Sequence, residues 1–495
     1  MLNANRYEPF KGWGACLFAF SMLLFSENFP GTLAPGPQSF YNKNDALKTG
    51  DRGAPVIKKE FLLKLTRRMK DQTGSAGKYL LIFLKWAVLA CVVGTAAGLV
   101  GAAFYFALGF VTQVRTDFPV LVLFLPLAGL LIVFLYRAAG IEKSRGTNLV
   151  LLAVRSEEKV PFRMAPLIFT GTLLTHLFGG SAGREGAALQ LGGSIAAQLG
   201  RWFHLDAKDM HIITMCGMSA CFSALFGTPI AAAVFSMEVV SVGVMYYAAL
   251  VPCAIASVLA AQLAGWLGAA RTQFTISEIP AVGVIPILQV LLLAALCAAV
   301  SILFCAALKG ASQAYRRLLP NQYARAAAGG GIVVLLAFLL QTGDYLGAGV
   351  PVIQQAMAGQ AEPEAFALKI VFTAVTIGAG FKGGEIVPSF FVGATFGCFF
   401  GGLIGLSPSF SAALGLVALF CGVTNCPLSS LLMSFELFAS SSADAAAAGA
   451  AAGSGVFFLL AVAVSYMLSG YFGLYSKQKI IYSKYSPRFI NTESI

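Results

Sequence analysis

The sequence has little charge and few of the residues that build catalytic or metal centres. Only 11% of its 495 residues are charged, and three are histidines, whereas soluble domains carry about 25% charged residues. None of the ten cysteines forms a C-x-x-C pair, so neither a disulfide framework nor a metal site is indicated. We therefore expect no cofactor and no enzymatic activity. We interpret the cysteines of the apolar stretches as buried free thiols: Cys91, Cys216, Cys221, Cys297, Cys305 and Cys421.

What the sequence does contain is apolar. Hydrophobic residues make up 58% of the chain and the mean hydropathy is +0.78, which predicts an all-α polytopic membrane protein in contact with lipid. The 53 glycines favour tilted, broken and re-entrant helices over a bundle of long uniform spans. The formal net charge of +12 is interpreted as topology signal, and no nucleic-acid partner is expected.

The distribution of apolar and basic residues divides the chain into three parts. Residues 1–77 are predicted to form a cytoplasmic lead-in, and 78–476 a membrane domain with halves at about 78–272 and 282–476. Residues 477–495 are predicted to form a short basic tail, and we expect no appended regulatory domain. By the positive-inside rule the lead-in and the tail both face the cytoplasm. We expect an integral protein of a bacterial inner (plasma) membrane.

A spaced set of glycine, proline and glutamate occurs once in each half. In each half a Gly-x-Glu opens an apolar stretch. Farther along each half, a Gly is followed by a Pro 12 residues later and by a Glu 9 residues after that. This pattern predicts homologous halves, which in transporters often have inverted topology and meet at an ion site. The first set is Gly183, Glu185, Gly217, Pro229 and Glu238; the second is Gly383, Glu385, Gly415, Pro427 and Glu436.

The first motif, Gly183-Arg184-Glu185-Gly186, is predicted to open a helix. Glycines there leave backbone amides free, and the helix dipole adds about half a positive charge, so the amides can hold an anion. Ionised Glu185 can occupy that position, and protonated Glu185 can leave it. A carboxylate at membrane depth is costly and seldom without function, although an ion pair between Glu185 and Arg184 is the structural alternative.

The second motif runs from Phe381 to Pro388 and follows the same logic. Pro388 suits a first helical turn because its missing N–H is not needed there, and the amides of Ile386 and Val387 can then point at an anion. Glu385 is either a second proton-handling carboxylate or a cap on the helix start. For two further glutamates that end apolar stretches, a solvated or bridging structural role is favoured: Glu238 and Glu436.

These motifs resemble those of the CLC chloride channels and chloride/proton antiporters. Gly183-Arg184-Glu185-Gly186 resembles the family's G-K/R-E-G-P, with Ala187 in place of the proline. Gly383 to Pro388 resembles G-G-x-F-x-P, and Leu474-Tyr475-Ser476 resembles the late tyrosine segment. The stretch from Gly217 to Glu238 is similar to the helix pair that follows the first motif. The resemblance implies a CLC-type fold of two inverted halves in a homodimer, with one anion pathway per subunit.

The resemblance also assigns roles to individual residues. It implies that Glu185 gates the anion and relays protons, with Glu385 as a second proton-handling group. Tyr475 would be the central tyrosine, with Tyr482 as the fallback. The residues that it places around the anion are Arg184, Gly186, Ile386, Val387 and Tyr475, together with Gly146, Thr147 and Asn148 of the first signature segment.

Three departures from the family pattern concern the transported ion. The G-S-G-I-P signature aligns with residues 144–148, so its serine is absent, and Glu385 precedes Ile386 where the family has a phenylalanine. The internal proton glutamate would align near Val239. The first two departures resemble the fluoride-exporting branch, which also lacks that internal glutamate, whereas Leu474-Tyr475-Ser476 resembles the chloride branch. The identity of the anion, chloride or fluoride, therefore stays open.

The leading functional hypothesis is proton-coupled antiport of an inorganic anion. A passive chloride channel of the same family and an organic-solute secondary transporter are the alternatives. An intramembrane enzyme is disfavoured, because the sequence shows no nucleophile–base pair and no metal-binding cluster at membrane depth. The expected partners are the transported chloride or fluoride, protons, membrane lipid and a second copy of the chain.

Overall fold

A computed structural model describes residues 56–141, 146–155, 160–438 and 445–494, with the backbone alone given for 56–76 and 445–453. The chain divides into two compact units, Met1–Thr73 and Gly74–Ile495. Of the first unit only helical backbone from Val56 onwards is described. Most of the predicted lead-in therefore lies outside the described residues.

The first half of the membrane domain is a succession of helices of very different length. A 3-10 helix, Pro119–Phe124, separates the first two, and another, Tyr247–Ala249, precedes the last. The α-helices are α1 Val56–Asp117, α2 Leu125–Ala138, α3 Thr147–Arg155, α4 Met164–Leu177, α5 Glu185–Trp202, α6 Ala207–Phe226, α7 Pro229–Glu238 and α8 Leu250–Trp266.

The second half repeats much of this pattern. Its helices are α9 Val284–Leu318, α10 Gln322–Leu340, α11 Val350–Met357, α12 Ala365–Ala379, α13 Ile386–Leu403, α14 Pro408–Thr424, α15 Pro427–Leu437 and α16 Ala445–Leu468. Within the described ranges, seven helices are long and apolar enough to cross a membrane, and several others are shorter than a full span. The predicted mixture of spanning and short helices is confirmed.

The turns that shorten these helices use the same chemistry in both halves. Helix α6 ends at Gly227 with φ +71°, and α14 ends at Asn425 with φ +59°. Glycine and asparagine are the residues that adopt this left-handed conformation most readily. A proline then occupies the first position of the next helix, Pro229 in α7 and Pro427 in α15, where its missing N–H costs nothing.

Glycine pairs let two helices in each half approach closely. A β-carbon built at Gly192 of α5 would lie 2.0 Å from the Gly217 carbonyl oxygen of α6. One built at Gly393 of α13 would lie 2.4 Å from the Gly415 carbonyl oxygen of α14. Small residues at such crossings are what allows membrane helices to pack backbone to backbone. The glycine excess therefore serves helix packing at these two places.

The halves are joined by a reciprocal exchange of helix caps. Glu238, at the end of α7, accepts hydrogen bonds from the backbone amides of Leu428 (3.0 Å) and Ser429 (2.8 Å) at the start of α15. Glu436, in the last turn of α15, accepts them from Ile230 (2.9 Å) and Ala231 (2.8 Å) at the start of α7. Contacts repeated in both directions are the mark of a two-fold relation. Of the two structural roles considered for these glutamates, solvated or bridging, the structure has the bridging one.

Two details differ from the sequence-based expectation. The tail carries strands β2 (Lys479–Tyr482) and β3 (Phe489–Glu493), which pair antiparallel, and β2 also pairs parallel with β1 (Ser241–Val242) after α7. The tail is therefore bound to the membrane domain by backbone hydrogen bonds. The second difference concerns the thiols, because Cys91 is exposed whereas the other described cysteines are buried.

Candidate functional site

The two motif loops lie against each other. Gly183 N donates to Gly384 O at 2.7 Å, and Gly384 N donates to Gly183 O at 2.8 Å, which makes an isolated antiparallel bridge between the halves. A β-carbon at Gly384 would lie 2.6 Å from the Gly186 nitrogen, so this approach requires glycine. The bridge brings the N-terminus of α5 and the N-terminus of α13 together at one place.

The bridge also corrects the register of the repeat. Gly183 is opposite Gly384, and α5 begins at Glu185 whereas α13 begins at Ile386. Ile386, and not Glu385, is therefore the counterpart of Glu185. The matched Gly-x-Glu spacing placed the halves one residue out of register, because it aligned a first helical residue with the residue that precedes a helix. The two glutamates occupy different positions and have different surroundings.

Glu185 reaches from the first half to the helix start of the second. Its side chain is fully buried, and its Oε2 accepts a hydrogen bond from Val387 N at 3.1 Å. Its Oε1 is also buried and has no hydrogen-bond partner among the described residues. Half of this carboxylate is thus bound to an amide at a helix N-terminus, where a negative charge is favoured. The other half is unbound.

The start of α13 follows the sequence prediction closely. Ile386, Val387 and Pro388 are its first three residues and are buried. Since Ser389 N bonds to Glu385 O and proline has no N–H, the amides of Ile386 and Val387 are the donors that this end offers. Glu385 precedes the helix with a half-buried side chain and makes no side-chain cap hydrogen bond. Glu385 thus stands at the N-cap position of α13, but its side chain does not make the hydrogen bond that a capping residue would make.

A cavity of about 840 Å³ opens next to the paired motifs. Glu385 lines this cavity, whereas Glu185 does not, and the two carboxylates are near enough to interact electrostatically. Glu385 is therefore the carboxylate of this pair that lines the cavity, and Glu185 is the one that does not. We call this cavity the vestibule. Its lining includes Gly146, Thr147, Asn148, Gln190, Lys309, Arg316, Arg325, Lys382, Ser476 and Lys477.

The first signature segment and α5 form a polar contact at the inner edge of the vestibule. Thr147 Oγ1 lies 3.4 Å from Gly186 O, and Gln190 Nε2 donates to Gly186 O at 2.9 Å and to Thr147 Oγ1 at 3.4 Å. The Gln190 side-chain oxygen is buried and has no hydrogen-bond partner among the described residues. Sequence reasoning missed Gln190, although it lies one turn beyond Gly186 on the same face of α5.

Of the remaining predicted site residues, Tyr475 lies near the two glutamates, whereas Arg184 contacts aromatic rings and Tyr482 is exposed. The Arg184 guanidinium lies over the rings of Tyr105 (5.4 Å) and Phe226 (5.3 Å), and no ion pair with Glu185 is found among the described residues. Tyr475 is buried near Glu385 and Glu185, and its hydroxyl has no hydrogen-bond partner among the described residues. Tyr482 lies on β2 with 48% exposure, so the fallback assignment is wrong.

The segment around Tyr475 is held by side chains from both halves. Asn148 Oδ1 accepts a hydrogen bond from Lys477 N at 3.0 Å, and Arg155 donates to Lys477 O. Gln478 is fully buried and donates to the carbonyls of Val239 (3.0 Å) and Thr424 (2.8 Å). Asn148, predicted to contact the anion, thus uses its side-chain oxygen to hold the tyrosine segment.

On its other side the first motif rests on a buried polar cluster. His176 Nε2 lies 3.3 Å from Gly183 O, and Ser181 N donates to Thr376 Oγ1 at 3.1 Å. Lys369 of α12 is fully buried and donates to the carbonyls of Tyr345 (3.0 Å) and Gly347 (2.8 Å). His176 connects the loop before α5 to α4, Thr376 connects the same loop to α12, and Lys369 connects α12 to the loop before α11.

Comparisons with known proteins agree with this geometry. Residues 128–458 match the voltage gated chloride channel family. The chain is 35% identical over 408 residues to the chloride/fluoride channel protein of Pseudomonas syringae pv. tomato, which covers 81% of this chain and 88% of that protein. It is 26% identical to the H(+)/Cl(−) exchange transporter ClcA of Vibrio parahaemolyticus, over 71% of this chain and 81% of that protein. The crystal structure of a CLC-type fluoride/proton antiporter superposes with a TM-score of 0.75 at 34% identity, covering 80% of this chain and 98% of that one.

Proposed function

Because the chain belongs to the voltage gated chloride channel family and has the CLC-type fold, we propose that it exchanges an inorganic anion for protons across a membrane. The observation that carries the proposal is the hydrogen bond of 3.1 Å between buried Glu185 and the Val387 amide. It places a titratable negative charge from one half on a helix N-terminus of the other. Anion binding and protonation of Glu185 then become competing events.

The exchange follows from the chemistry of that position. The ionised carboxylate of Glu185 accepts the hydrogen bond of the Val387 amide. An anion that binds to the amides of Ile386 and Val387 must therefore displace this carboxylate. A protonated Glu185 has lost the charge that favours the helix N-terminus, so it releases the amide and carries its proton away as the anion moves in. Preformed donors of this kind need no reorganisation to hold an anion.

Glu385 supplies the connection between the vestibule and Glu185. It lines the vestibule, interacts electrostatically with Glu185 and makes no cap bond to α13. A proton taken up at Glu385 from vestibule water would then pass on to Glu185. Buried Tyr475 lies near both carboxylates, where its hydroxyl can donate to the anion.

We propose fluoride as the anion. The support comes from the relatives, since a chloride/fluoride channel protein and a fluoride/proton antiporter match at 35% and 34% identity. It comes also from the site. Glu385 directly precedes α13, and Thr147, in a signature that lacks the serine, is the polar residue that lies at Gly186. The acid and the missing serine are the two departures that resemble the fluoride-exporting branch. Gly146 and Asn148 line the same vestibule.

The setting in the membrane is part of the proposal. We propose a homodimer in a bacterial inner membrane, with one anion path per subunit and the termini and the vestibule on the cytoplasmic side. The support is the concentration of basic residues at the vestibule, among them Arg316, Arg325 and Lys477, since cytoplasmic connections carry an excess of Lys and Arg.

The test is flux through purified protein in liposomes with fluoride and chloride in parallel. With fluoride high inside and equal pH on both sides, we expect fluoride efflux to drive protons inward. The interior should become acidic, and proton uptake should continue against the pH gradient that it creates. Fluoride should move at least tenfold faster than chloride. Anion efflux without proton movement would support the passive channel instead, and equal rates for the two anions would overturn the choice of fluoride.

A further inference from the structure

The vestibule carries more positive charge than a path for a single small anion requires. Lys309 and Arg316 come from α9, Arg325 from α10 and Lys382 from the loop before α13. None of these four is in an ion pair among the described residues, whereas Lys477, also in the lining, pairs with Glu493 at 2.9 Å. The acid in the described lining is Glu385. Within the described part of the lining, four unpaired cations thus accompany one carboxylate.

Several of the polar atoms in this lining are buried without a partner. The Lys309 ammonium, Arg325 Nε and the Tyr136 hydroxyl have no hydrogen-bond acceptor or donor among the described residues. Lys382 Nζ lies 4.4 Å from the centre of the Tyr136 ring. This ammonium therefore contacts an aromatic face and has no carboxylate partner among the described residues. Buried polar groups are normally satisfied, and unsatisfied donors from three elements around one cavity indicate a ligand that accepts hydrogen bonds.

The volume indicates a polyatomic ligand. Small-molecule sites typically enclose about 300–1,000 Å³, and the vestibule, at about 840 Å³, falls in that range. A halide is much smaller than this volume and offers a single charged centre. A larger anion with several charged oxygens offers an acceptor to each of several cations in the lining.

We propose that the vestibule binds a multivalent phosphate anion. A phosphate group carries about −1.5 to −2 charges at neutral pH and three strong acceptor oxygens. Arginine forks suit these oxygens and lysine supplies point charges for them. A bound phosphate lies between the cytoplasm and Glu385 and closes the anion path. This blocking effect rests on the transport function proposed above, whereas the binding itself does not.

The binding test uses the full-length protein in detergent and inorganic pyrophosphate as the probe. Isothermal titration calorimetry at about 50 mM salt should show binding that weakens as salt rises, since charge pairing of partly exposed groups is screened. Lys309→Met should weaken binding at least tenfold while keeping the length of the side chain. Arg316→Gln should weaken it severalfold, and Arg317→Gln is the matched control because Arg317 adjoins Arg316 and does not line the vestibule.

The outcomes separate specific binding from general charge attraction. No heat of binding with up to about 5 mM pyrophosphate at low salt, or an unchanged affinity in Lys309→Met, would overturn the proposal. An equal loss in Arg317→Gln and Arg316→Gln would overturn it too, because the attraction would then belong to the surface. A parallel titration with adenosine diphosphate identifies the source, since tighter binding than pyrophosphate indicates an organic phosphate and equal or weaker binding an inorganic one.

Flux measurements separate this proposal from the transport function. Pyrophosphate sealed inside liposomes should slow fluoride efflux severalfold through the wild type and much less through Lys309→Met. If the protein binds pyrophosphate in detergent but moves no anion, the transport function fails and the phosphate site stands. If it exchanges fluoride for protons but binds no pyrophosphate, the phosphate site fails and the transport function stands.

Discussion

Replacing Glu185 by glutamine separates its charge from its shape. Ionised Glu185 accepts the Val387 amide proton over 3.1 Å, and a hydrogen bond to a charged group is worth about 1.5–3 kcal/mol against about 0.5–1.5 for a neutral one. The hydrogen bond that the anion must replace should therefore be about 1–1.5 kcal/mol weaker with glutamine at position 185. Since 1.4 kcal/mol is a factor of ten in affinity, Glu185→Gln should bind fluoride about tenfold more tightly.

The same variant should lose proton coupling altogether, because an amide cannot carry the exchanged proton. Calorimetric titration with fluoride measures the affinity, and proton movement during fluoride efflux from liposomes measures the coupling. Glu436→Gln is the matched control, because Glu436 of α15 also caps a helix start of the opposite half, in this case the start of α7. The fluoride affinity and the proton coupling of this variant should match those of the wild type. Continued proton pumping by Glu185→Gln would remove Glu185 from the exchange.

Three further predictions use the same assays or a melting curve in detergent. Glu385→Gln should slow proton movement at least tenfold while fluoride still binds, and proton transport at the wild-type rate would exclude the relay. Gly393→Ala should destabilise the fold by about 1–3 kcal/mol through overpacking, because its β-carbon would lie 2.4 Å from Gly415 O; Gly402→Ala on the same helix, whose nearest neighbour would be 3.6 Å away, should melt like the wild type. Gln478→Ala leaves buried carbonyls without their donor, which should cost about 2–5 kcal/mol and lower the melting temperature; an unchanged melting temperature would contradict the role given to this segment.

The sequence predicted those parts of the site that depend on local spacing. Gly183, Glu185 and the segment from Gly383 to Pro388 lie within short motifs, and the conformation of a helix start is decided within a few residues of it. The helix boundaries at Glu185 and Ile386 follow from these residues. The register between the halves was wrong because it depends on the pairing of Gly183 with Gly384, which no spacing along one chain encodes.

The vestibule could not be predicted for a related reason. Gln190, Lys309 and Arg325 lie on three different helices, and nothing in their spacing indicates that they line one cavity. A lone lysine in an apolar helix has the same sequence signature whether it faces a cavity or extends towards the membrane surface. Lys382 was within the second motif, but its contact with Tyr136 depends on the packing of α2 against that loop.

The three glutamates that reach from one half to the other differ in one respect that accounts for their different roles. Glu238 and Glu436 each use both carboxylate oxygens to accept hydrogen bonds from the opposite half. Glu185 uses one oxygen on Val387 and leaves the other buried without a partner among the described residues. Moving either of the first two breaks at least two bonds at a helix start. Moving Glu185 breaks one and removes an unsatisfied oxygen from the interior. A carboxylate that accepts hydrogen bonds from amides of the opposite half therefore holds the two halves together at Glu238 and Glu436. At Glu185 the same kind of contact is weaker, so that side chain can move.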